Sequence, residues 1–341
     1  MTTLTARRPL FPGGPDVSPL CLGTMMFADQ TNRDEAENIV EAFFASGGNF
    51  IDTADSYSSG RSEEMLGGLL GRYRDACVLA TKVGNPLTTV SGSGGLSAEW
   101  IRRGAAMSLE RLRTDRIDLY YLHLDDDLTP LDETITALGR LLDEGAIRYW
   151  GVSNFRPWKI AEMIRVADIL GVARPVVLQP YYHMLNRTAE SDALPACAHF
   201  SIGVVPYSPL GRGILTGKYR GGTPPGSRGA RGDKRLFETE FRPETLARAA
   251  EAAAYAEAKN LDPVAVAINW VLAHATVSSV LVGPKTRAQL DAYLDALSQP
   301  YSADDEAFLS GLCPPGHTPA PGHTDPRYAL RGRLLREGLA T

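Results

Sequence analysis

Ile117-Asp118-Leu119-Tyr120-Tyr121-Leu122-His123 is an apolar, β-rich run that ends on a polar side chain. Similar short runs recur at 20–23, 49–52, 78–82, 147–153, 176–179, 203–207 and 279–282, which makes eight. Between them lie stretches of helical length with apolar or small residues at three- and four-residue spacing. Examples are Ile39, Ala42, Phe43 and Ser46, or Ile160, Met163, Ile164 and Ala167. Strands that alternate with helices, with no two-residue hairpin between successive strands, pair in parallel through crossover helices. Eight such units close into a barrel, whereas an open doubly wound sheet more often has five or six strands and a glycine-rich turn after the first. That turn is missing. Gly23-Thr24-Met25-Met26-Phe27 follows the first run, and the glycines of 211–217 have the wrong spacing for a dinucleotide-binding turn. The expected fold is α/β, a (β/α)8 TIM barrel with extended βα loops. It is read as a single domain over 1–341, with a barrel core at about 20–297. A C-terminal helix and tail, 298–341, are expected to fold over the barrel mouth.

Composition narrows the class of partner. The chain is 44% hydrophobic and 22% charged, and no uncharged apolar run approaches the roughly 18 residues of a membrane span. A net charge of −5 offers no basic field for nucleic acid, so the expected partner is a small molecule, with no nucleic acid and no membrane. Arg7 and Arg8 are followed by Pro12-Gly13-Gly14-Pro15 rather than by an apolar leader, and a cytoplasmic location is expected. Cys21, Cys77, Cys197 and Cys313 are too widely spaced for a CxxC pair and read as reduced core thiols. No metal is expected. Asp125-Asp126-Asp127 reads as a solvated βα loop, and the paired Gly-His-Thr of the tail lacks an acidic frame. The Gly-, Pro- and Arg-rich stretch 208–241 is long enough to be a functional lid. No pattern specifies an oligomeric state.

The polar residues sit where the runs end. Asp52, Lys82 and His123 close the second, third and fourth, and Ser153-Asn154, Gln179 and Tyr207-Ser208 close the fifth, sixth and seventh. In a barrel these ends converge on the C-terminal face, where active sites are built. Tyr57 follows Asp52 by five residues and so overhangs the same mouth. Bringing a tyrosine from its usual value near 10 toward 7 takes about 4 kcal/mol of phenolate stabilisation. A charged Lys82, paired with Asp52, would supply it, and His123 would orient a substrate carbonyl. Asp52 also opposes a Schiff-base role for Lys82, because it keeps the amine protonated. Met25, Met26 and Phe27 are placed to line a substrate pocket, beside Tyr57, His123 and Leu124.

Gly48-Asn49-Phe50-Ile51-Asp52-Thr53-Ala54-Asp55-Ser56-Tyr57, followed by Gly60-Arg61-Ser62-Glu63, resembles the first signature of the aldo-keto reductases. The resemblance continues through Ala80-Thr81-Lys82, Leu122-His123, Gly151-Val152-Ser153-Asn154, Gln179-Pro180-Tyr181 and Tyr207-Ser208-Pro209-Leu210, covering about 20–297. It is strongest with the bacterial branch related to the potassium-channel β-subunits. The resemblance implies NADPH/NADP+ bound in extended form across the mouth, with no dinucleotide-binding fold. It assigns Gly23, Thr24, Met25 and Asp52 to the cofactor site, with Ser153, Asn154 and Gln179 on the carboxamide and Tyr207 under the nicotinamide ring. It assigns Ser208, Leu210, Gly213 and Lys218 to the pyrophosphate. Gly283, Lys285, Thr286 and Gln289 fall to the adenosine end, Lys285 and Thr286 being matched to the 2′-phosphate. Tyr293 departs from the usual Asn. The implied reaction is reduction of an aldehyde or ketone with Tyr57 as general acid, reversible as an alcohol dehydrogenase. The alternative is a cofactor-binding regulatory subunit like those of channels.

Overall fold

A computed structural model describes residues 3–328. Two short strands, β1 (Arg8–Pro9) and β2 (Asp16–Val17), form an antiparallel hairpin. The remaining strands are β3 (Leu20–Gly23), β4 (Phe50–Asp52), β5 (Val78–Val83), β6 (Ile117–Leu122), β7 (Ile147–Ser153), β8 (Val177–Gln179), β9 (Gly203–Val204) and β10 (Val280–Val282). They pair in parallel in the order β10-β3-β4-β5-β6-β7-β8-β9. Parallel bridges at Val204–Val277 and Tyr207–Leu281 join the last strand to the first and close the (β/α)8 ring. Each expected run contains a strand. The seventh is short because Pro206 has no N–H to give to the ladder, although Val205 and Tyr207 still bond to β8 and the residue beyond it.

Helices α1 (Arg33–Ala45), α2 (Arg61–Leu70), α3 (Ala98–Leu112), α4 (Leu131–Asp143), α5 (Pro157–Leu170) and α6 (Ala193–Phe200) follow β3 to β8 in turn. After β9 come α7 (Lys234–Thr239), α8 (Pro243–Ala258) and α9 (Pro263–Leu272), and after β10 come α10 (Arg287–Ala296) and α11 (Ala303–Gly311). Several starts are fixed by side-chain caps: Asn32, Ser97, Thr286 and Ser302 each accept a first-turn N–H. Among the described residues no helix is long and apolar enough to cross a membrane.

Strand alternation divides the core. Phe50, Ala80, Leu119, Tyr121 and Val177 pack inside the barrel, whereas Tyr120, Leu122, Trp150 and Val152 face the helices. Leu10 and Val17 join the inner cluster, so the hairpin stoppers the N-terminal end of the ring. The fit leaves no room for a side chain. A Cβ on Gly203 would stand 1.7 Å from the Leu10 carbonyl oxygen. The opposite end remains as the mouth.

A lid and a tail cover that mouth. The segment between β9 and α8 carries a kinked turn, Gly211–Thr216, and the helix α7. The tail is pinned first at Arg187, whose guanidinium donates to the Ser310 and Cys313 carbonyls at 2.8 and 2.9 Å. Farther along, Asp325 forms a two-pronged pair with Arg235 of α7, and Arg156 donates to the Tyr328 carbonyl at 2.7 Å. The tail expected over the mouth is there as far as Tyr328, and 329–341 lie outside the described residues. The triple-Asp loop is held by its neighbours, with Lys159 of α5 paired to Asp125 and 3.5 Å from Asp127, and Asp126 accepting from the Leu96 and Leu128 N–H groups.

Candidate active site

Strand parity brings the polar ends together. Phe50, Ala80 and Tyr121 face the barrel interior, so Asp52, Lys82 and His123, two residues farther on, face the interior at its mouth. Lys82 Nζ forms a close ion pair with Asp52 Oδ1, and neither side chain has any exposed surface. The ammonium also donates to the Thr53 carbonyl at 2.6 Å and to Tyr57 Oη at 3.2 Å. The second Asp52 oxygen accepts from Gln179 Nε2 at 2.9 Å. Tyr57 opens a short helical turn whose Ser58 and Ser59 adopt positive φ, and its ring meets the His123 ring edge-on at 6.0 Å. Gly60, at φ +92°, packs on the Arg111 guanidinium, which a Cβ would approach to 2.7 Å.

The electrostatics differ in one respect from the sequence reading. Burial pushes the Tyr57 phenol above its ordinary value, and Lys82 opposes that rise without reversing it. Tyr57 therefore carries its proton at neutral pH. Burial acts to discharge Lys82, but Asp52 and Tyr57 outweigh it and hold the ammonium charged. His123 is driven well below the usual imidazole value, first by burial and then by the charges of Lys82 and Arg327. It is neutral, and its tautomer is set from outside the expected residues. Arg327 Nη2 donates to Asn85 Oδ1 at 2.8 Å, and the Asn85 amide nitrogen lies 2.7 Å from His123 Nδ1. A guanidinium only donates, so the amide oxygen faces it and the NH2 faces the ring. Nδ1 is then the acceptor, and the ring N–H sits on Nε2.

Beside this group lies a bonded polar floor. Asn154, at φ 63°, donates to the His123 carbonyl at 3.1 Å and to Ser153 Oγ at 2.9 Å, and accepts from Tyr207 Oη at 2.9 Å. Ser153 Oγ donates to the Gln179 carbonyl. Tyr207 stacks on Tyr181 at 5.2 Å, and the Tyr181 hydroxyl is held by buried Glu240, at the end of α7. The Arg212 guanidinium lies over the Tyr181 ring, 5.3 Å from its centroid, and donates to Thr239 at 3.0 Å. Tyr181, Arg212 and Glu240 were not foreseen; their link to Tyr207 is tertiary, and no local spacing signals it.

At the other end of the mouth, cations gather. Burial, then Arg231, Arg228 and Lys218, lower the Lys285 ammonium to about 8. Gly213, at φ +99°, lies under Lys218, whose Nζ would be 2.7 Å from a Cβ there. Ser208 also has positive φ, and Leu210 precedes the kinked turn. Gly283 is exposed, Thr286 caps α10, and Gln289 Oε1 accepts the Lys285 N–H at 2.8 Å. Glu35 already accepts from the Arg287 N–H at the start of α10. Tyr293 is partly buried against the core, near Arg228. A concentration of four cations of this kind fits the phosphates of a dinucleotide.

The remaining expected residues divide by exposure. Gly23 ends β3, and Thr24 is buried, bonded to the Asp52 carbonyl and Ser62. Met25 is 41% exposed. Leu124 is half-buried, Met26 is buried, and Phe27 has no exposed surface and belongs to the core outside the barrel.

Asp55 stands apart. It is 1% exposed, finds no side-chain donor, and lies near Glu63; burial first and Glu63 second push its carboxyl up to about 8. The folded chain thus keeps a proton that the unfolded chain releases near pH 4, so stability falls as pH rises from about 4 to 8. Asp55→Asn removes this slope. Urea unfolding at pH 5 and pH 8 is expected to show wild type losing up to about 1.4 kcal/mol per pH unit more than the variant. Identical pH dependence would contradict the assignment.

Comparison with known proteins identifies the family to which this barrel belongs. Residues 19–311 match the model of the Aldo/keto reductase family. A probable voltage-gated potassium channel subunit beta from Arabidopsis thaliana is 34% identical over 293 residues, 83% of this chain and 88% of that one. An uncharacterized oxidoreductase, YrpG, from Bacillus subtilis (strain 168) is 33% identical over 325 residues, 92% of this chain and 96% of that one. With its barrel and this span of similarity, the chain belongs to the aldo/keto reductase family.

Proposed function

We propose that the chain is an NADPH-dependent reductase of an aldehyde or ketone, reversible as an alcohol dehydrogenase, with Tyr57 as general acid. The observation that carries this reading is the charged, fully buried Lys82, pinned by Asp52 and 3.2 Å from Tyr57 Oη. We read the chain as one unit over 1–341 with its barrel core at about 20–297, acting in the cytoplasm on a small carbonyl compound.

NADPH, when bound, supplies a hydride from nicotinamide C4. Ser153, Asn154 and Gln179 would border its carboxamide and Tyr207 would underlie the ring. Because Gln179 Nε2 is committed to Asp52, its Oε1 is the atom left to accept from an amide. Ser208, Leu210, Gly213 and Lys218 would hold the pyrophosphate, and Lys285 and Thr286 the 2′-phosphate, with Arg228 and Arg231 adding charge from the lid. A substrate carbonyl oxygen between Tyr57 Oη and His123 Nε2 meets two neutral donors. As negative charge grows on that oxygen, Tyr57 gives up its proton, and the nascent phenolate is stabilised by Lys82. In reverse, the same phenolate takes the alcohol proton. The similarity to a plant channel β-subunit favours a second reading, a cofactor-binding regulatory subunit.

Purified protein with NADPH and a panel of aromatic aldehydes separates the two. Wild type is expected to turn over, and Tyr57→Phe to lose at least about a hundredfold in kcat with NADPH affinity unchanged. Undiminished turnover by the variant would remove Tyr57 as the acid. Tight NADPH retention with no wild-type turnover would favour the regulatory reading. Lys285→Met is expected to raise KM for NADPH about tenfold or more and leave KM for NADH unchanged. An equal rise for both would detach Lys285 from the 2′-phosphate.

A further inference from the structure

We propose that Arg327 is a substrate-recognition residue, and that the carbonyl compound this mouth takes carries a carboxylate. The inference rests on the reductase reading above and names the class of its substrate.

Arg327 lies in a short turn of the tail, Pro326–Tyr328, that is braced on both sides. Before it, the Asp325 carboxylate takes both terminal nitrogens of Arg235, at 3.0 and 2.5 Å, and also accepts the Arg327 backbone N–H at 2.9 Å. After it, Arg156 holds the Tyr328 carbonyl. The guanidinium is therefore delivered to the mouth by a fixed segment. One of its nitrogens reaches Asn85, which itself contacts His123. The cation stands one amide side chain away from the imidazole, close enough for its charge to act on that ring.

Arg327 has no anion of its own, and unlike Arg212, whose guanidinium lies on the Tyr181 ring and bonds to Thr239, it reaches the residue in contact with His123. Arg187 is paired with Glu190, Arg228 with Asp233 and Arg235 with Asp325. Among the described residues no carboxylate pairs with the Arg327 side chain; its guanidinium meets the Asn85 oxygen and lies 5.6 Å from the centre of the Tyr328 ring. An exposed arginine is ordinarily solvated, but this one spends a donor on the residue that orients His123. Its other N–H groups keep the planar fork that matches a carboxylate. A neutral substrate leaves that fork empty, and an anionic one fills it.

The test compares 4-carboxybenzaldehyde with methyl 4-formylbenzoate, which differ in charge but present the same aldehyde. With NADPH, wild type is expected to favour the acid at least about tenfold in kcat/KM, mainly through KM. Arg327→Met is expected to bring the ratio close to one whatever it does to the absolute rates, because losing the Asn85 contact acts on acid and ester alike, and Arg327→Lys to restore part of the preference. Equal use of both compounds by wild type, or an unchanged ratio in Arg327→Met, would overturn the proposal. The second of these, an equal fall for acid and ester in Arg327→Met, would mean that the residue acts only through Asn85 and His123. Ester turnover by wild type reports on the reductase reading separately: if neither compound is reduced, that reading falls and this inference with it.

Discussion

The mouth of this barrel depends on one ion pair, Lys82 with Asp52, buried without any exposed surface. Removing an ammonium and a carboxylate from water costs several kcal/mol for each ion, and their attraction repays it only when the remaining polar atoms are also satisfied. Here they are. The ammonium reaches Asp52, the Thr53 carbonyl and Tyr57, and the carboxylate takes Gln179 on its other oxygen. The pair thus ties β4, β5 and β8 together across the top of the barrel, and it fixes where Tyr57 can stand. Taking away either partner would leave an uncompensated charge beneath the tyrosine.

The walls are built on that floor. Asn154 holds the His123 carbonyl and Tyr207 at once, and Tyr207 leans on Tyr181, which Glu240 of the lid grips from the other side. The lid is also bound to the tail through Arg235 and Asp325. Opening the lid would therefore disturb the platform on one side and the rim on the other. Charge is partitioned along the same line: a compensated pair at the centre, four cations at the far end, and the Arg327 guanidinium at the rim. The net charge of −5 gives no hint of this, because the local field follows from where side chains converge.

Much of the architecture was legible because a parallel barrel writes itself as repeated apolar runs, and because parity carries Asp52, Lys82 and His123 to one face. The hairpin of β1 and β2 escaped, since two-residue strands are too short to show a period; only the intervening Pro-Gly-Gly-Pro marked the turn. The truncated β9 follows from Pro206, whose missing N–H interrupts the ladder inside an otherwise apolar run. Phe27 was expected at the pocket and lies wholly in the core, because a strand-end position does not by itself say which way the following chain turns. Asn85 and Arg327 are bonded across 242 residues, so no local pattern joins them. The upward shift of Tyr57 was illegible for a similar reason: a neighbouring cation can be read from spacing, but the depth of burial that opposes it cannot.

The central claim is that Lys82 and Tyr57 act as one unit, with the ammonium serving the phenol's proton. A double-mutant cycle on kcat for a neutral aromatic aldehyde, using Lys82→Met, Tyr57→Phe and the pair, measures it directly. If the claim holds, each single change removes most of the rate and the double variant is no slower than the worse single one. Losses that multiply in the double variant would show two independent contributions and contradict the account.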